Sequence, residues 1–134
     1  YHAAPINVQW GLDNRTVGLR VPDSGRESRR VENRVPGADA NPYLAIAASL
    51  ACGLLGMQQK LDPSAPVTAS AYDMPYELPR SLEQSLQALE SSDDLKEMLG
   101  TRFVQAWNAV KESEYDTFLQ VISSWEREHL LLNV

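Results

Sequence analysis

Alternation of apolar and polar residues marks the first 36 residues of the chain. Residues 8–10 and 17–21 alternate in this way, and residues 22–25, Pro-Asp-Ser-Gly, have the composition of a turn. Residues 30–35 then alternate charged with mostly apolar side chains, at the period of a strand. These patterns predict short antiparallel strands, the last two of which form a hairpin-like unit.

The strand predicted over residues 30–35 would carry an unusual outward face. Side chains two residues apart share a face of a strand, so Arg30, Glu32 and Arg34 are expected to project together while Val31 and Val35 bury. Such a face favours a site for anions and a metal. The pattern alone leaves open a surface ladder of salt bridges, in which each pair contributes about 0–1 kcal/mol.

Two further arginines precede this strand. Arg20 lies on the polar face of the strand over residues 17–21, and the hairpin would bring it beside Arg30 and Arg34. If the strand extended to Arg15, this residue would share the apolar face of Val17 and Leu19, so it is expected just outside that strand or before a bulge. Arginine grips carboxylate or phosphate with two parallel hydrogen bonds, and glutamate is a hard oxygen ligand for magnesium or manganese. Together these residue types suit phosphoryl transfer.

The period of the pattern changes to that of a helix after residue 40. Asn41 can cap a helix with Pro42 at its first position, and residues 43–61 are apolar on all sides, which predicts a buried helix. Residues 62–80 are rich in Pro, Ser and Ala and predict an ordered surface loop. In residues 81–134, Ser81, Ser92 and Thr101 are each placed to start a helix.

The fold class predicted from these elements is α+β. The predicted parts of the chain are strands that carry the arginines and Glu32 over residues 1–36, a core helix over 41–61, a loop over 62–80 and a helical region over 81–134. In that last region, aromatic and aliphatic residues recur at helical spacing from Phe103 to Trp125, and we expect them to form core or subunit contacts.

Net charge and cysteine content limit the kinds of binding partner and the cellular location expected for the protein. The net charge is −6, which argues against nucleic acid or an anionic membrane surface as a partner. Residues 1–34 nevertheless carry net +2 and the remaining hundred net −8, so the arginines form a local site in an acidic protein. Cys52 is the only cysteine and lies in the apolar helix, so we expect it to be buried and the protein to be cytoplasmic.

Several motifs with fixed spacing resemble the C-terminal part of the catalytic domain of the glutamine synthetase family. They are Asn14-Arg15 with Arg20 and Pro22 downstream, Arg29-Arg30-Val31-Glu32-Asn33-Arg34, and Asn41-Pro42-Tyr43. The resemblance is strong over residues 10–56. Residues 11–15, 37–42 and 78–82 are similar to the γ-glutamylputrescine (γ-glutamylpolyamine) synthetase branch.

The resemblance implies a role for each matching residue. Arg15 would reach both the nucleotide phosphates and the glutamate that is activated, Arg20 and Arg30 would bind ATP, and Arg34 would hold the substrate glutamate. Glu32 would bind one divalent ion, Mg²⁺ or Mn²⁺. The family often has a nucleotide-contacting lysine three residues before the position of Arg30, and Glu27 stands there in this chain.

The implied reaction has two steps. ATP phosphorylates the γ-carboxylate of glutamate, and an amine, putrescine or another polyamine in the favoured interpretation, then displaces phosphate. Two alternatives stay open: glutamine synthetase proper, which uses ammonia, and a non-catalytic assembly module. Family members run to several hundred residues, so the 134-residue chain is expected to be an inactive C-terminal fragment.

The resemblance also implies a quaternary structure. Family members stack two rings of subunits, and the apolar tail at residues 130–134 is expected to dock on another subunit.

Overall fold

A computed structural model describes residues 4–131 of the protein. The chain divides into two compact units, the first ending at Pro79 and the second beginning at Arg80. The first unit contains strands and one long helix, and the second contains only helices among its described residues. The predicted α+β class is therefore confirmed.

Among the described residues, three short strands form the sheet of the first unit, in the order β1 (Trp10–Leu12), β2 (Leu19–Val21) and β3 (Glu32–Asn33). β2 and β3 are antiparallel, with Leu19 opposite Asn33 and Arg20 opposite Glu32, as the hairpin prediction requires. β1 and β2 are parallel, however, so the prediction of antiparallel strands is wrong for this pair. Residues 13–18 connect β1 to β2 so that both strands run in the same direction. Asp13, the first residue of this connection, takes a positive φ of 48°.

The loop that follows the helix of this unit is bound along β1. The backbone N–H of Val67 donates to the carbonyl of Trp10 at 2.8 Å, and the Trp10 indole donates to the carbonyl of Ser64 at 2.7 Å. Further along the chain, the N–H of Glu77 donates to the carbonyl of Ile6 at 3.0 Å. The predicted ordered loop thus behaves as an irregular extension of the sheet, with a short 3₁₀ turn at Ala71–Asp73.

Helix α1 (Pro42–Gln58) begins as predicted. The Asn41 side chain accepts hydrogen bonds from the N–H groups of Tyr43 and Leu44, and Pro42 is the first helical residue. Its predicted burial is not seen: Ala51 is the buried residue of the helix, whereas Tyr43 is 83% exposed. An apolar helix needs a surface to pack on, and the described residues cover only a small part of this one. Cys52 is accordingly exposed, which corrects the expectation that it is buried.

Three helices pack together in the second unit: α2 (Leu82–Glu90), α3 (Asp93–Leu99) and α4 (Thr101–Leu119). Leu86 and Val104 are buried between them, and the buried Asn108 donates from Nδ2 to Oε2 of Glu90 at 3.1 Å. Ser81 caps α2 as predicted, by accepting a hydrogen bond from the N–H of Gln84.

The last predicted helix is interrupted. α4 starts after Gly100, without a side-chain cap from Thr101, and ends at Leu119; α5 (Ser124–His129) follows as a separate helix. Ser123 and Glu126 form a capping box that starts α5, and this local signal overrides the longer apolar period. Residues 130 and 131 of the predicted docking tail are exposed, and residues 132–134 lie outside the described residues.

Candidate functional site

The pairing of β2 with β3 sets Arg20 opposite Glu32 and creates the centre of a charged site. Nη1 of Arg20 donates to Oε2 of Glu32 at 2.9 Å, and Nη2 donates to Oδ1 of Asp13 at 2.7 Å. The Arg20 side chain is only 18% exposed. Its buried Nε has no hydrogen-bond acceptor within the described part of the chain. Arg20 is therefore held at both terminal nitrogens of its guanidinium.

Arg30 binds the other oxygen of the same glutamate. Its Nη2 and Nε donate to Oε1 of Glu32 at 2.9 and 3.2 Å. The Arg30 side chain is about half exposed, so solvent reaches it more readily than the Arg20 side chain. The predicted placement of Arg20 beside Arg30 is confirmed, because both bind Glu32. Arg34, which the prediction also sets beside Arg20, donates to backbone carbonyls between β1 and β2. Arg20, Arg30 and Glu32 form the salt-bridge ladder that the sequence pattern leaves open as an alternative.

The hydrogen bond from Arg20 lowers the pKa of Glu32 below its ordinary value of 4.5. Desolvation by burial raises this pKa, but the hydrogen bonds and charge of Arg30 lower it further. The hydrogen bond to Glu32 in turn raises the pKa of Arg20 above its ordinary value. Because the folded-state pKa of Glu32 is depressed, its contribution to stability is present above pH 4.5. That contribution is lost as the pH falls through the depressed value.

The side chain of Arg34 binds the backbone carbonyl of Arg15. Nη1 of Arg34 donates to the carbonyl oxygens of Arg15 and Val17, the second at 3.3 Å. Arg15 lies in the turn between β1 and β2, outside both strands as predicted, and its side chain is exposed. The predicted exposure pattern around Arg34 is wrong in one respect, because Val31 and Val35 are exposed by 65% and 41%. A β3 strand of two residues presses neither valine against a second layer.

Asn14 and Thr16 fix the turn that carries Arg15, a role that is not among those predicted above for the site residues. Asn14 donates from Nδ2 to the carbonyls of Val67 and Ala69 at 2.9 and 2.8 Å. Its Oδ1 accepts from the N–H and the hydroxyl of Thr16, whose oxygen accepts from the N–H of Ala71 at 2.8 Å. An Asn and a Thr two residues apart are typical of an Asx turn, and that was the only available signal.

The acidic groups of the site do not by themselves suit a divalent ion. Residues 4–131 contain no group of three His, Cys, Asp or Glu side chains arranged to hold a metal. Both oxygens of Glu32 already accept hydrogen bonds from arginines. Hard-cation sites need several oxygen ligands, so Glu32 supplies at most one of the set that Mg²⁺ requires.

Two features thus define the class of site: a strand pair lined by guanidinium groups, which suit the binding of anions, and a turn held by the side-chain amide of Asn14, from which Arg15 projects. The family model for the catalytic domain of glutamine synthetase matches residues 1–130. The chain belongs to the glutamine synthetase catalytic-domain family.

Known relatives agree with this assignment. Type-1 glutamine synthetase 2 of Dictyostelium discoideum is 41% identical over 134 residues, which cover 96% of this chain and 26% of the relative. Glutamate–isopropylamine ligase of a Pseudomonas species is 40% identical over 124 residues, covering 90% of this chain and 27% of the relative. The solved GmaS/ADP complex superposes with a TM-score of 0.84 at 34% identity, over 96% of this chain and 30% of that one.

The chain therefore spans between about a quarter and a third of the length of these relatives. Within residues 4–131, none of the helices combines the length and the apolar character needed to cross a bilayer.

Proposed function

We propose that this chain forms part of an ATP-dependent carbon–nitrogen ligase that activates the γ-carboxylate of glutamate as an acyl phosphate and joins it to an amine. The observation that carries the proposal is the family match over residues 1–130. The names of two relatives, a glutamine synthetase and a glutamate–isopropylamine ligase, support the same reaction class. Because the chain spans only part of those proteins, the activity is proposed for a protein that contains these residues together with further catalytic residues.

In this proposal Arg20 and Arg30 bind the phosphates of ATP. Both already bind one carboxylate, and the half-exposed Arg30 side chain is accessible to an anion. Charge builds on the phosphoryl group as it is transferred, and guanidinium groups fixed in advance stabilise that charge without reorganising. A relative of known structure has been solved with ADP, which supports nucleotide use.

Arg15 and Arg34 are proposed to bind the substrate glutamate, Arg15 also reaching the phosphates. The exposed Arg15 side chain projects from a turn whose backbone is held by Arg34 and by Asn14. Holding the carboxylates of glutamate in one orientation converts the attack on ATP into a reaction between positioned groups.

Glu32 is proposed as one ligand of Mg²⁺ or Mn²⁺, in a site completed by oxygen ligands from outside the described residues. When bound, such an ion would supply charge neutralisation at the phosphates. The isolated 134-residue chain, whose described residues include no group of three side chains able to hold a metal, is expected to be inactive.

The acceptor is proposed to be putrescine or another polyamine, with ammonia as the alternative. The support for an alkylamine acceptor is that a relative 40% identical to this chain is named for isopropylamine. We further propose a cytoplasmic location and an assembly of stacked rings. The exposed apolar side chains of Trp125, Leu130 and Leu131 support an intersubunit role for the C-terminal segment.

The test is phosphate release by the full-length protein with ATP, Mg²⁺ and glutamate, comparing putrescine, isopropylamine and ammonia. We expect preference for putrescine and, in Arg34→Ala, a fall in kcat/KM for glutamate of at least about 30-fold. Arg29→Ala is the matched control, because Arg29 is exposed and has no proposed role. Preference for ammonia would reassign the enzyme to glutamine synthetase proper. Absence of turnover with every amine would favour a non-catalytic assembly module.

A further inference from the structure

Asp13 occupies a special place beside the charged site. It directly follows β1, and its backbone N–H donates to the carbonyl of Val21 at 3.0 Å, which ties it to the far end of β2. Its φ of 48° is a conformation that few residues other than Gly, Asn and Asp adopt readily. From there Oδ1 accepts from Nη2 of Arg20 at 2.7 Å, the shorter of the two ion pairs that Arg20 makes.

The two carboxylates that hold Arg20 differ in their other partners. Glu32 is shared with Arg30, whereas the Asp13 carboxylate pairs with Arg20 alone within residues 4–131. A guanidinium held at one terminal nitrogen can still rotate about its long side chain. Bonds at both terminal nitrogens fix its plane and leave the remaining N–H groups pointing in set directions.

We propose that Asp13 is a positioning residue, which orients the Arg20 guanidinium so that it receives a nucleotide phosphate in the right geometry. This inference rests on the proposed function. Asp13 itself would not touch the nucleotide. Its contribution would be preorganisation, since an arginine already held in its binding orientation loses less side-chain entropy when the anion arrives.

Simple electrostatics makes the opposite prediction, and this makes the inference testable. Removing a negative charge near a phosphate site should strengthen anion binding if charge alone matters. If Asp13 positions Arg20, the same change should weaken binding despite the more favourable field. The sign of the effect therefore separates the two roles.

The experiment measures ADP binding to the full-length protein by titration calorimetry, for wild type, Asp13→Asn, Arg20→Ala and the double variant. Asp13→Asn keeps the shape of the side chain and should raise the Kd for ADP by about two- to fivefold. In the Arg20→Ala background the same change should have no further effect. Asp23→Asn is the matched control, because Asp23 is an exposed carboxylate in the same unit with no ion pair among the described residues.

Each outcome bears on the inference. Tighter or unchanged ADP binding by Asp13→Asn would overturn it, as would an equal loss of affinity in the Arg20→Ala background or in Asp23→Asn. A thermal midpoint that falls with the affinity would assign Asp13 a structural role and likewise overturn it. If the wild-type protein binds no ADP at all, the proposed function fails, and this inference fails with it.

Discussion

The amide clamp at Asn14 makes the most quantitative prediction about the site. Asn14→Ala removes two hydrogen bonds to the carbonyls of Val67 and Ala69 and two that Oδ1 accepts from Thr16. Asn14→Asp removes only the donor half, because a carboxylate still accepts from Thr16 but faces the two carbonyl oxygens without a proton to offer. The pair of variants therefore separates the donor bonds from the acceptor bonds.

The magnitude follows from the bond count. A hydrogen bond of this kind contributes about 1 kcal/mol to folding, and more is lost when a partly buried partner is left unsatisfied. We expect Asn14→Ala to lower the free energy of unfolding by about 2–4 kcal/mol, and Asn14→Asp by about 2 kcal/mol or more. Because Asn14 adjoins Arg15, both variants should also raise the KM for glutamate.

Urea unfolding of the full-length protein and steady-state kinetics would check these values. Asn33→Ala is a suitable control. Asn33 is exposed, and its side chain donates to the hydroxyl of Ser49 and accepts from the N–H of Val35, both at the surface, so water can replace much of what is lost. Its cost should stay below about 1 kcal/mol. Equal destabilisation by Asn14→Ala and Asn33→Ala would refute the view that the clamp holds the Arg15 turn.

Three further predictions concern other parts of the chain. Gly18→Ala would set a Cβ 2.6 Å from the carbonyl oxygen of Asn7, which should lower the free energy of unfolding in urea by about 1–3 kcal/mol. Gly25→Ala is the control, because its Cβ meets nothing within 4 Å and stability should not change. Equal effects of the two substitutions would contradict this prediction. Hydrogen bonds from Ser123 lower the pKa of Glu126, so its cap on α5 should be complete above pH 4.5 and lost as the pH falls further. The main donor to the Glu126 carboxylate is the backbone N–H of Ser123, so carboxyl NMR titration should show that pKa rising in Ser123→Pro, which lacks this donor, and an unchanged pKa would refute the capping box. Truncation after His129 should disrupt ring stacking, whereas unchanged sedimentation would argue against a docking tail.

The parts of the fold that depend on neighbouring residues follow the sequence closely. The alternation around Arg20 and Glu32 predicts their pairing, and Asn41-Pro42 predicts the start of α1 to the residue. Short-range signals of this kind specify both the backbone conformation and the face on which side chains lie.

The features that sequence reasoning missed depend on distant contacts. The parallel pairing of β1 with β2 and the binding of residues 64–77 along β1 are contacts that no periodicity encodes. The apolar surface of α1 shows the converse, because periodicity predicts that a surface will be buried without identifying what covers it. The sequence pattern does not predict the ion pair of Asp13 with Arg20 either, because this contact depends on the positive φ that turns Asp13 back toward β2.

The most direct test of the account is a structure of the full-length protein with ADP, Mg²⁺ and glutamate bound. If the proposed function is right, guanidinium nitrogens of Arg20 and Arg30 will lie within about 3.2 Å of phosphate oxygens, and Arg34 will lie at a carboxylate of glutamate. Phosphates bound away from β2 and β3, with Arg20 and Arg30 still paired only to Asp13 and Glu32, would contradict the account. The cluster would then be a salt-bridge ladder with no part in binding nucleotide.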